Sequence, residues 1–113
     1  MANATYKIKN YSKDFLQKHK FRYSNYLSEY GDDVYTYKFP LIFYNQTVTI
    51  ECEISVSLST GIVNVKVYNS GTKDLYASYY NREFGNYQII KSIDIKIDKK
   101  LKELGIEKVW IWF

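Results

Sequence analysis

Val48, Ile50, Cys52, Ile54, Val56 and Leu58 alternate with Thr49, Glu51, Glu53, Ser55 and Ser57. Period two over this length marks a strand with one face buried and one face wet. Thr60-Gly61 follows as a tight turn, and Val63, Val65 and Val67 resume the alternation. Pairing Ser59 with Ile62 sets Leu58 opposite Val63 and Val56 opposite Val65, with apolar faces matched. Upstream, Tyr35, Tyr37, Phe39, Leu41 and Phe43 alternate in the same way. A two-residue turn at Asn45-Gln46 sets Phe43 against Val48 and Leu41 against Ile50. Pro40 has no N–H to donate, so this strand is expected at an edge or with a bulge there. The pattern predicts a three-stranded meander over 34–68.

Beyond residue 85 the period changes. Ile90, Ile93, Ile97, Leu101 and Leu104 recur every three or four positions, one stripe of a helix over 86–104. Asn86 is placed to cap it, and Gly105 to end it in a left-handed turn. Ile93, Ile95 and Ile97 also alternate, so a strand over 92–98 competes, but the length and the glycine stop favour helix. A final strand over 107–113 holds Val109, Trp110, Ile111 and Trp112, apolar on both faces. Such a strand is expected to be covered twice, by the core and by a second copy burying Trp110 and Trp112. The N-terminal third reads as a strand over 5–9 and a short helix from a Ser12 cap to about Lys20, with Phe15, Leu16 and His19 on one face. Tyr23, Tyr26, Leu27 and Tyr30 also show helical spacing. The class is α+β: one domain over 1–113, with an antiparallel sheet of three to five strands.

The composition is that of an ordinary globular chain, 46% hydrophobic and 25% charged. No apolar run reaches the roughly 20 residues of a membrane span, and no leader pattern opens the chain. The single cysteine, Cys52, allows no internal disulfide. A cytoplasmic setting is expected. Two departures matter: a net charge of +4 and 13 tyrosines. Positive charge steers anions in, and tyrosine offers a flat apolar face with a polar tip. Together they lean towards nucleotides or nucleic acid.

Catalytic chemistry finds little support. His19 and Cys52 fall on different elements, and no histidine–cysteine set exists for zinc. Cys52 is expected in the core and His19 on a solvated surface. Glu51 and Glu53 share the wet face of one strand; Asp94 and Asp98 lie four apart on the helix with no further ligand. No phosphate-binding glycine loop or nucleophile motif occurs, and no cofactor or metal is implied. Attention falls instead on Tyr76, Tyr79, Tyr80, Asn81, Arg82, Phe84, Asn86 and Tyr87, where rings, a guanidinium and amides would stack on and read a base. The alternative is that these rings fill core beneath a loop. A second basic-aromatic stretch holds Lys18, Lys20, Phe21, Arg22, Tyr23 and Tyr26, which otherwise reads as a solvated turn.

Val34-Tyr35-Thr36-Tyr37-Lys38-Phe39-Pro40, Ile50-Glu51-Cys52-Glu53-Ile54, Tyr79-Tyr80-Asn81 and Gly85-Asn86-Tyr87 resemble strings in small uncharacterised proteins of clostridia, related Firmicutes and their phages. The resemblance spans about residues 21 to 106. It implies a phage or mobile-element setting. By analogy, a small basic protein there would act as an anti-defence sponge, sequestering an anionic nucleotide signal without cleaving it. The expectation is thus a non-enzymatic, homo-oligomeric binder of a nucleotide or nucleic acid. It would use the 76–87 segment, helped by Lys18, Lys20 and Arg22. Its rivals are an inhibitor that binds a host defence protein, as anti-CRISPR proteins do, a phage assembly protein and, last, a metal-dependent enzyme built on Asp and Glu.

Overall fold

Six antiparallel strands form one sheet, and the long C-terminal helix crosses one face of it. The computed structural model describes residues 2–28, 31–81 and 86–112, with side chains for 5–28, 31–81 and 86–109. In chain order the elements are β1 (Ala2–Ile8), α1 (Lys13–Lys18), β2 (Arg22–Tyr23), β3 (Val34–Tyr44), β4 (Thr47–Ser57), β5 (Ile62–Asn69), α2 (Ala77–Tyr80), α3 (Tyr87–Glu103) and β6 (Ile106–Trp112). The strand order is β2-β3-β4-β5-β1-β6. The α+β class therefore stands, with one strand more than the largest sheet expected.

The helix forms for the reasons its sequence gives. The Asn86 side chain accepts from the N–H groups of Gln88 and Ile89, at 3.0 and 3.2 Å. Gly105 ends it at φ 71°. Ile90, Ile93, Ile97 and Leu101 are buried along one stripe. They meet Ile50, Cys52, Ile54, Val56, Val63 and Val67 of the sheet. The competing strand over 92–98 is ruled out, because those residues lie inside α3.

The meander forms with two corrections to its register. Asn45 and Gln46 both take positive φ, 49° and 65°, which gives the two-residue turn its right-handed fit. Phe43 faces Val48 as expected, but Ile42 rather than Leu41 faces Ile50, because the ladder slips between Pro40 and Ile42. Pro40 stands beside the slip. Val34 O, six residues before it, accepts from Ser24 N–H on the outer side of β3. By period two the missing N–H of Pro40 also faces that outer edge and costs the β3–β4 ladder no hydrogen bond. In the second hairpin Val56 faces Val63, and Ile54 faces Val65. That is two residues from the expected pairing. A slip of two keeps every side chain on its face, so alternation alone does not see it. Leu58 is instead held against the preceding strand, its N–H donating to Asp33 O at 2.9 Å.

The N-terminal region supplies one end strand, β2, and the inner strand β1, which joins β5 to β6. β1 pairs with β6 along its whole length and with β5 only at Tyr6 and Lys7. β2, where Tyr23 lies in a strand and not in a helix, pairs with β3 only at Tyr35 and Thr36. Beyond Thr36 the outer edge of β3 has no strand beside it among the described residues. β6 is the terminal strand at the other end; the side chains of Trp110 and Trp112 lie outside the described residues. No described helix is long and apolar enough to cross a membrane.

Candidate functional site

The segment after α1 is pinned by two apolar anchors. Leu16 is fully buried, and Phe21 is 3% exposed with its ring 5.5 Å from that of Tyr37. Between them Lys20 takes φ 68°, which turns the chain out of the helix. The Phe21 N–H donates to Leu16 O at 2.9 Å. Burying Phe21 leaves its neighbours Lys20 and Arg22 exposed. Arg22 then lies opposite Thr36 and Tyr23 opposite Tyr35. The Ser24 N–H donates to Val34 O at 2.8 Å, and the Ser24 hydroxyl accepts from Leu27 N–H at 3.2 Å. This turn holds Tyr26 at the rim, 81% exposed, beside the half-exposed Tyr23.

A groove of about 720 Å³ opens between that segment and the wet face of the sheet. Thr36 and Lys38 of β3, Glu53 of β4 and Lys66 of β5 line one side; Lys20, Arg22, Tyr23 and Tyr26 line the other. Four cations thus surround one carboxylate. Lys38 and Glu53 lie 3.8 Å apart, a partly exposed pair that contributes on the order of 0–1 kcal/mol to stability. Its main effect is to offset one of the four charges. The neighbouring Glu51 is within 3.8 Å of Lys73, outside the groove. Neither histidine nor cysteine lines the groove. Its side chains suit holding a phosphate by guanidinium and ammonium groups and a planar ring by tyrosine faces.

The 76–87 segment is organised differently. The Tyr76 N–H donates to Val67 O at 3.0 Å, and the Tyr80 hydroxyl accepts from Val67 N–H at 2.9 Å. The Tyr79 hydroxyl donates to Asp94 of α3 at 2.9 Å. Tyr76 and Tyr79 are partly buried against the core. These tyrosines therefore seal the part of the β5 edge that β1 leaves and tie it to the helix. Tyr80 remains half exposed and Tyr87 is 75% exposed. Asn81 is exposed, its N–H bonded to Ala77 O at 2.8 Å. Asn86 caps α3 and also lines a hollow of about 440 Å³ with Leu41, Ile42, Phe43 and Lys96. Arg82 and Phe84 lie outside the described residues.

Of the residues singled out from sequence, Lys20 and Arg22 meet in the main groove, and Lys18 lines an adjoining hollow. Lys38, Glu53 and Lys66 were not singled out for binding. Alternation puts them on the wet face, but the two-residue slip decides that Lys66 faces Glu53. His19 is half buried, not solvated: its ring lies 4.2 Å from that of Phe15, and its Nδ1 is 3.0 Å from Phe15 O. Cys52 is fully buried, and burial pushes its thiol up to about 12, with Glu53 adding to the shift. Among the described residues, no three His, Cys, Asp or Glu side chains cluster to hold a metal.

No protein-family model matches the chain, and no curated protein matches it. Among solved structures, the fold is similar to that of a DUF1831 family protein from Lactobacillus plantarum. The TM-score is 0.58 at 8% identity, over 95% of this chain and 89% of that one. At that identity the likeness is one of fold.

Proposed function

We propose that the chain is a non-enzymatic binding protein that holds an anionic nucleotide or nucleic acid in the groove between the 20–27 segment and the sheet. The observation that carries this reading is the convergence of Lys20, Arg22, Lys38 and Lys66 around one carboxylate, with the exposed rings of Tyr23 and Tyr26 at the rim. Cations fix phosphates, and rings take bases without demanding one sequence. The volume of the groove falls in the range that small ligands occupy. The binding centre thereby moves from the 76–87 segment, whose Tyr79 and Tyr80 hydroxyls serve the fold, to the second basic-aromatic stretch. For a phage or mobile-element protein, holding such a ligand without consuming it would withdraw a host nucleotide signal.

Thermal shift against mononucleotides, cyclic dinucleotides and short oligonucleotides tests this. A ligand present at 100 times its Kd adds about 2.7 kcal/mol of stability, a shift well above noise. Arg22→Glu is expected to remove the shift while leaving the melting temperature of the free protein near that of wild type, since Arg22 is exposed. A panel in which nothing raises the melting temperature refutes the reading, and so does undiminished binding by Arg22→Glu.

A further inference from the structure

We infer that the ligand is a single-stranded nucleic acid several nucleotides long, carried on a track that leaves the groove, rounds the open edge of β3 and ends on the side of α3. This rests on the binding reading of the groove and extends it. A second hollow, about 270 Å³, shares Lys20 and Tyr37 with the groove and adds Lys18, Lys100 and Glu103. A third, about 220 Å³, shares Lys100 and Glu103 with the second and adds Phe39, Lys96 and Lys99. Lys20 and Tyr37 border the first two hollows and Lys100 and Glu103 the last two, so the three adjoin in series. Eight Lys and Arg side chains line them against two carboxylates, Glu53 and Glu103.

A single nucleotide is smaller than the groove alone and leaves the other two hollows unused; a chain of phosphates uses all three. The rings favour an unpaired strand. Tyr23 and Tyr26 stand exposed at the groove. The partly buried Tyr37 borders both the groove and the second hollow, with the Lys100 ammonium 5.6 Å from its ring. Phe39, 8% exposed, belongs to the core beneath the track. The path also bends, from the wet face of the sheet around its edge to the helix. A duplex is stiff over about 150 base pairs and resists so tight a course, whereas a single strand follows it. Part of the charge is already engaged: Lys100 lies 3.2 Å from Glu103, and Lys96 donates to Leu41 O at 2.6 Å. Lys18 and Lys99 are exposed and stand at successive stations of the track.

Fluorescence anisotropy with labelled oligothymidylates from dinucleotide to dodecamer tests the track. Affinity is expected to rise at least tenfold from the dinucleotide to the octamer. The salt dependence should steepen in step, by about 0.7 in log–log slope per added phosphate contact. Lys99→Glu and Lys18→Glu should each weaken the octamer severalfold and leave the dinucleotide unchanged. Dinucleotide binding without a gain on lengthening overturns the track and leaves the groove standing. Equal loss of both ligands in the two variants, or a duplex binding as tightly as the single strand, also overturns it. Failure of every oligonucleotide and nucleotide to bind removes both proposals.

Discussion

Tyr80→Phe separates the two roles open to the tyrosine-rich segment. The substitution keeps the ring, which packs edge-on against Tyr79 at 5.4 Å, and deletes only the hydroxyl. That hydroxyl accepts the N–H of Val67, a residue 1% exposed in the middle of the sheet. Without it, the amide has lost its partner at an edge that β1 does not reach. Leaving a buried donor unmade costs about 1–3 kcal/mol. For a domain of this length the unfolding entropy is about 0.24 kcal/mol/K, so the melting temperature should fall by about 4–12 °C. Urea unfolding gives the free energy, and amide exchange at Val67 reports the site: its protection should drop more than that of Ile54 in the neighbouring strand. Ligand affinity should stay within about twofold. Unchanged stability with a tenfold loss of binding would show that Tyr80 meets ligand and that the sealing role is wrong.

Gly61 has φ 73°, and a Cβ there would lie 2.7 and 2.9 Å from two atoms of the Tyr11 ring. Gly61→Ala should therefore cost about 1–2 kcal/mol for the left-handed backbone plus the displacement of the ring. In a Tyr11→Ala background only the backbone part should remain, and an equal cost in both backgrounds would count against the ring contact. Burial pushes Cys52 up to about 12, and burial with Glu51 and Glu53 pushes Tyr68 up to about 12. The native state keeps both protons where the unfolded chain has released them, so their contribution is full below about pH 9 and declines between there and pH 12. Urea midpoints should fall across that range, more steeply for wild type than for Cys52→Ala; parallel slopes would refute the assignment to Cys52. The native thiol should also resist aromatic disulfide reagents at pH 8 until the protein unfolds.

The helix and the three long strands were legible because each carries its own period and its own punctuation: Asn86 and Gly105 for α3, Asn45-Gln46 for the first hairpin. Register was less so. A slip of two at Thr60-Gly61 preserves every inward residue. The backbone contacts that accompany it, Gly61 N–H to Ser57 O within the turn and Leu58 N–H to Asp33 O across distant segments, leave no trace in the alternation. β2 escaped notice because two residues carry no period. The groove was half legible. Lys20 and Arg22 stand in a basic-aromatic run, whereas Lys38 and Lys66 are brought beside Glu53 only by the pairing of β3, β4 and β5. The tyrosines of 76–80 misled for a chemical reason: a phenol that stacks on a base also accepts a backbone N–H, and here the edge of β5 claims it. Copy-to-copy contact through Trp110 and Trp112 turns on side chains outside the described residues.

Pro40 and the slipped ladder beside it leave the two outer flanks of the sheet unequal. Along β3 an incoming strand would meet a residue that donates nothing and a Leu41 carbonyl already taken by Lys96. Over the described residues, β6 by contrast pairs with β1 without a register shift from Ile106 to Trp112. An incoming strand would therefore find a regular backbone template along β6 and an interrupted one along β3, so any edge-to-edge pairing of this sheet would be confined to one flank.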